Sequence, residues 1–126
     1  MHDGPALPVG IADARHYLWG ECCDGWHLLE HDGLSVIQER VPPGVAETRH
    51  RHRLARQFFF VLQGQAVIEV EGQRHALGEG QGLHVAPELA HQFRNESAAD
   101  VVFLVISTPR SHGDRHAAPH AGEPIA

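Results

Sequence analysis

The stretch GVAETRHRHRLARQFFFVLQG, residues 44–64, decides how the rest of the chain reads. His50 and His52 stand two positions apart, so on a β-strand both imidazoles leave the same face. Gln57 opens the apolar run Phe58-Phe59-Phe60-Val61-Leu62, which ends at Gly64. On a strand, Gln57, Phe59 and Val61 share one face, and Phe58, Phe60 and Leu62 share the other. Two histidines on one face, with a polar side chain from the next strand, begin a metal site inside a barrel. His91 is the candidate for the further ligand that such a site needs.

Working outward, the chain divides into short strands. Leu34 to Arg40 alternates, and Pro42-Pro43-Gly44 breaks it off before the histidine pair. Gln57–Leu62, Ala66–Glu71, Arg74–Leu77, Leu83–Ala86, His91–Asn95 and Val101–Ser107 follow, with Glu71-Gly72-Gln73 as a tight hairpin turn. Gly78, Gly80 and Gly82 form a turn region, and Pro87 ends the strand before it. Closely spaced strands, Gly/Pro turns and no helical period argue for an all-β sandwich or barrel. Residues 58–62 and 101–106 are apolar on both faces, so a second sheet layer or a homodimer should cover the outer one. Residues 1–33 read as an arm and a leading segment, in which Tyr17, Trp19, Trp26, Leu28 and Leu29 pack on the body. Residues 34–108 are the barrel core. Residues 109–126, with His112, His116 and His120, read as a mostly flexible tail. Within it Ser111-His112-Gly113-Asp114-Arg115 is polar enough to dock, although nothing in its spacing requires that.

At 126 residues and 42% hydrophobic content the chain fits one domain with a sizeable core. A net charge of −6 argues against a nucleic-acid surface. No stretch has the apolar length of a membrane span, and Met-His-Asp-Gly-Pro lacks the basic flank and apolar core of a signal peptide. The expected location is cytoplasmic. The only cysteines, Cys22 and Cys23, are adjacent, a poor geometry for bridging each other and consistent with a reducing compartment. There is no lysine, which excludes Schiff-base chemistry and lysine bases. Twelve histidines are the unusual feature.

With so many histidines, about one His-x-His is expected by chance, so the pair needs its context. His75 falls in a hairpin and His84 points away from Leu83 and Val85, as solvent-facing residues would. Arg56 points away from Gln57's face, where an ion pair suits it better than substrate. The context is two spaced motifs. The first is Gly44, five residues, His50-x-His52, four residues, Gln57, six residues, Gly64. The second is Gly80, five residues, Ala86-Pro87-Glu88, two residues, His91, three residues, Asn95. In these motifs the chain resembles the cupin superfamily, over residues 34–107, with the short spacing of bacterial single-domain members.

The resemblance implies a double-stranded β-helix (jelly-roll) barrel and one divalent transition metal on His50, His52, Gln57 and His91. Ala86 and Glu88 depart from the family's Pro and Gly in loop positions. Gln57 stands where the family has a glutamate, so the ligand set would be neutral and the metal a stronger Lewis acid, more weakly held. If Gln57 does not bind, the site is a three-histidine centre with open positions. Zn, Ni, Fe, Mn and Cu all suit such a set. Phe59, Val61, Ile68, Leu83, Val85 and Phe93 are read as pocket wall or core, and Cys23 as a buried thiol near Trp26. The implied function is a small metalloenzyme, a dioxygenase or a Lewis-acid isomerase or cyclase, acting on a small polar organic molecule. The alternative is a barrel that binds or senses a small ligand without turnover.

Overall fold

The computed structural model describes residues 6–20, 22–111 and 113–120. The ends of the expected arm and tail, and His112, lie outside the described residues. Those described contain eleven strands and no helix. In chain order they are β1 (Arg15–Trp19), β2 (Cys23–Glu30), β3 (Ser35–Val41), β4 (His50–His52), β5 (Arg56–Gln63), β6 (Ala66–Val70), β7 (Gln73–Leu77), β8 (Gly82–Val85), β9 (His91–Arg94), β10 (Val101–Thr108) and β11 (Arg115–Ala117). Two antiparallel sheets form, in the orders β1-β2-β3-β10-β5-β8 and β11-β4-β9-β6-β7. This is the jelly-roll barrel, a double-stranded β-helix.

Strict alternation builds the core. Along β10, Val101, Phe103, Val105 and Ser107 are buried while Val102, Leu104 and Ile106 are only partly so. Phe93 of the smaller sheet stacks on Phe103 of the larger one, with ring centroids 4.0 Å apart, and Phe59 joins them. Aromatic pairs of this kind add about 0.5–1.5 kcal/mol beyond the area they bury. The outer face of β5 and β10 keeps an apolar ridge: Phe60 lies opposite Leu104 and Phe58 opposite Ile106. Phe58 and Leu62 remain 40% and 42% exposed.

The motif residues at the turns have structural work. Gly64 has φ +87°, and a Cβ there would sit 2.5 Å from the carbonyl oxygen of Asp100, so only glycine fits. Asn95 is buried, and its amide nitrogen donates to the carbonyls of Val41 (2.9 Å) and Ala99 (2.8 Å). The Gly44 N–H donates to the Asn95 carbonyl at 2.8 Å, so the start of the first motif is tied to the end of the second. Glu71 and Gly72 both take positive φ, the two-residue turn that suits a twisted hairpin.

Two segments depart from the sequence reading. The leading segment forms a hairpin, β1–β2, that extends the larger sheet. Its alternation is hidden by a bulge between His27 and Leu29 and by Gly25, over which the Tyr17 ring lies with no room for a Cβ. The tail expected to be flexible docks its first half: β11 pairs with β4, Arg115 opposite His52 and Ala117 opposite His50.

Candidate metal centre

Strand register assembles the histidines. His50 pairs directly with His91 across β4 and β9, and His52 leaves β4 on the same face. Ring centroids are 4.4 Å apart for His50–His91, 4.9 Å for His50–His52 and 5.8 Å for His52–His91. One ring nitrogen from each lies within 4.8 Å of the others, and all three residues are buried. Gln57, from the opposite sheet, lines a cavity together with His50 and His52.

Each ring is held by its other nitrogen. The Nδ1–H of His50 donates to the Thr48 carbonyl (2.8 Å), that of His52 to the Asp114 carbonyl (2.9 Å), and that of His91 to the Leu89 carbonyl (3.0 Å). Such bonds fix the tautomer and leave Nε2 with a bare lone pair. For Gln57, Nε2 donates to Ser107 Oγ at 3.1 Å, which turns Oε1 away. The Nε2 atoms of His52 and His91 and the Oε1 of Gln57 are all buried with no protein partner. Buried acceptors are rarely left so, and the three histidines are grouped closely enough to hold one metal ion. Burial foremost, with the Arg115 guanidinium nearby, pushes the His50 pKa down to about 3. Burial and then His50 push that of His91 to about 4, and His52 is lowered chiefly by burial. All three are neutral at neutral pH, the state a metal requires.

The centre faces a cavity of about 280 Å³ whose walls include Tyr17, Trp19, Glu39, Glu47, Phe59 and Arg115. Tyr17 Oη donates to Glu39 Oε2 at 3.2 Å. Burial, reinforced by the neighbouring Glu47, pushes the Glu39 carboxyl up to about 8. Glu47 is raised as well, again by burial, and its Oε1 lies 4.0 Å from His50 Nδ1 while accepting the Phe93 N–H. Burial and then Glu39 hold the Tyr17 phenol above its ordinary range. Two further cavities share wall residues with this one. One, of about 390 Å³, shares Tyr17, Ile37 and Ser111; the other, of about 570 Å³, shares Trp19, Glu47, His50 and Arg115.

Among the residues expected at the pocket wall, Phe59 lines the cavity. Val61, Ile68, Val85 and Phe93 take the other reading given for them and sit with Phe59 in the core cluster, and Leu83 packs against it. Cys23 is fully buried, lines the 570 Å³ cavity, and is held as a thiol by burial, which raises its pKa to about 11. Both cysteines are free. His84 is exposed and accepts from Arg56 at 2.6 Å, away from the centre. Sequence reasoning gives no site role to Glu39, Glu47 or Ser107; it reads Tyr17 as a packing residue, with the barrel mouth as the lesser alternative, and Asp114 and Arg115 only as part of a segment polar enough to dock. Glu39 did leave a signal, because it shares strand parity with Ile37 and Val41 and is therefore an acid on an inward face.

The fold, the buried histidine triad and the comparisons agree on the class. The cupin domain family matches residues 37–107, and the chain belongs to that family. Polyketide synthase CurC from Streptomyces cyaneus is 29% identical over 73 residues, which are 56% of this chain and 45% of that protein. The chain thus spans under half of that relative's length. Polyketide cyclase RemF from Streptomyces resistomycificus superposes with a TM-score of 0.80 at 15% identity, covering 95% of this chain and 90% of that one. A predicted oxalate decarboxylase from Thermotoga maritima gives 0.76 at 17% identity, covering 82% and 100%. Among the described residues no helix is long and apolar enough to cross a membrane.

Proposed function

We propose that this cupin is a metal-dependent cyclase of the Lewis-acid type, acting on a chain that bears 1,3-related carbonyls. His50, His52 and His91 hold one divalent transition metal, and Gln57 Oε1 takes a further position. The observation that carries the reading is the set of buried, partnerless acceptors converging beside two carboxyls of raised pKa. The names of CurC and RemF support a poly-β-carbonyl substrate, and the run of adjoining cavities suits an elongated one.

When bound, the metal polarises a substrate carbonyl and so acidifies the adjacent carbon. The residues of the chain manage the protons. Of the pair Glu39 and Glu47, the ionised member accepts the α-proton and the protonated member returns a proton to the carbonyl oxygen that is attacked. Tyr17 donates to Glu39 and holds it in the cavity. One C–C bond forms and closes the ring, the attacked C=O becomes C–OH, and later loss of that hydroxyl with a hydrogen of the adjacent carbon, as water, leaves a C=C bond in the ring. Phe59 and Trp19 give the cavity an apolar wall beside these polar groups, and charges partly withdrawn from water interact more strongly. The free thiols of Cys22 and Cys23 accord with a cytoplasmic setting.

The test begins with elemental analysis of protein purified without a histidine tag; one transition metal per chain is expected. Loaded and chelated protein are then compared for ring formation from a linear poly-β-keto thioester. Absence of metal, or cyclisation unaffected by the chelator, would overturn the reading. Stoichiometric metal with no turnover would favour a binding or sensing barrel.

A further inference from the structure

We infer that the segment 113–118 is a positioning strap for the metal ligands, with Asp114 as the residue that sets His52. The inference rests on the metal reading above and extends it to a part of the chain that lies beyond both cupin motifs.

Asp114 binds in two directions. Its main-chain oxygen accepts the His52 Nδ1–H at 2.9 Å. Its carboxylate accepts the N–H groups of Arg53 (3.1 Å), Leu54 (2.9 Å) and Ala55 (3.0 Å), the turn that leads from β4 into β5. One residue thereby orients His52 and fixes the turn ahead of the strand that carries Gln57. Three successive backbone donors on one carboxylate form a strong charge-assisted clamp. Arg115 extends the pattern, because its guanidinium donates at 3.2 Å to the Thr48 carbonyl, the same oxygen that holds His50 Nδ1 at 2.8 Å. The docking is secured further along by Ala118, whose N–H donates to the Arg49 carbonyl (3.1 Å) and whose carbonyl accepts from the Arg49 side chain (2.7 Å).

The consequence is a coupling. With the strap docked, His52 is locked as the Nδ1–H tautomer and presents Nε2 to the cavity. With the strap released, the ring loses its acceptor and both tautomer and rotamer become free. A metal that prefers the docked arrangement must therefore stabilise the strap by the same free energy with which the strap favours the metal.

The test uses the untagged full chain with zinc(II) alone as the probe. Asp114→Ala keeps the main-chain oxygen that accepts from His52 but loses the carboxylate clamp that holds it in place. Competition against a chelator should show it binding zinc about tenfold more weakly than wild type, the scale of effect seen when the support of a metal ligand is lost, with Asp114→Asn in between. With cobalt(II) instead, Asp114→Ala should shift the visible ligand-field bands, a change that a mere loss of stability does not produce. Hydrogen exchange on the wild-type protein requires no variant to fold: zinc should slow the amides of 113–118. Unchanged zinc affinity in Asp114→Ala, unchanged cobalt bands, or strap exchange indifferent to zinc would each overturn the inference. Wild-type protein that takes up no zinc would overturn the metal reading itself, a separate result.

Discussion

Glu39→Gln isolates the acid that the cavity keeps protonated. Glutamine matches the shape of glutamic acid and its oxygen can still accept the Tyr17 hydroxyl, so packing is conserved and only the titration disappears. In the folded protein burial and Glu47 raise the Glu39 pKa from an ordinary 4.5 to about 8. Between these values the folded state holds a proton that the unfolded state has released. Unfolding stability therefore falls as pH rises through this window, by about 1.4 kcal/mol per unit. From 4.5 to pH 7 the window spans about 2.5 units, so burial of this one group costs about 3 kcal/mol at pH 7. The three histidines act in the opposite sense, because their folded pKa values are lowered and stability is lost as pH falls below their ordinary 6.5. The wild-type curve alone is thus a sum of opposing slopes, and the difference between the two proteins is what reports on Glu39. Urea unfolding of metal-free protein at pH 5, 6, 7 and 8 should show the Glu39→Gln advantage widening at each step. Parallel curves across that range would mean that Glu39 is ionised in the folded state, and the assignment of a proton-holding acid would be refuted.

Gln57→Glu should tighten metal binding, because a carboxylate attracts a dication far more than an amide dipole does, and should slow any Lewis-acid turnover by neutralising part of the metal's charge. His52→Ala should lower affinity and activity together; chelator competition on both variants separates a direct Gln57 ligand from a wall residue, which would leave affinity unchanged. The half-exposed ridge of Phe58, Phe60, Leu62, Leu104 and Ile106 should be covered in a homodimer, so sedimentation at micromolar concentration should find twice the chain mass, and a monomer would count against it.

The sequence by itself determined the all-β barrel and the histidine centre. Both follow from local rules. Alternation fixes which side chains turn inward, Gly and Pro mark the turns, and the motif spacing singles out His50, His52 and His91, which meet within 4.8 Å, and Gln57, which lines a cavity with His50 and His52. The resemblance to cupins rests on those same residues. What only the tertiary structure decided are the partners that make the centre work. Ser107 turns the Gln57 amide, three main-chain carbonyls lock the imidazoles, and Tyr17 of β1, Glu39 of β3 and Glu47 of the loop before β4 line one cavity with His50 and His52. Asp114 belongs to a tail whose composition reads as flexible, and β11 is too short to leave a period. Its order comes from backbone bonds to β4 and from one carboxylate on three N–H groups. Hydrogen bonds between backbone atoms are blind to side-chain pattern, so they leave no trace in a sequence until the strands they join have been placed together.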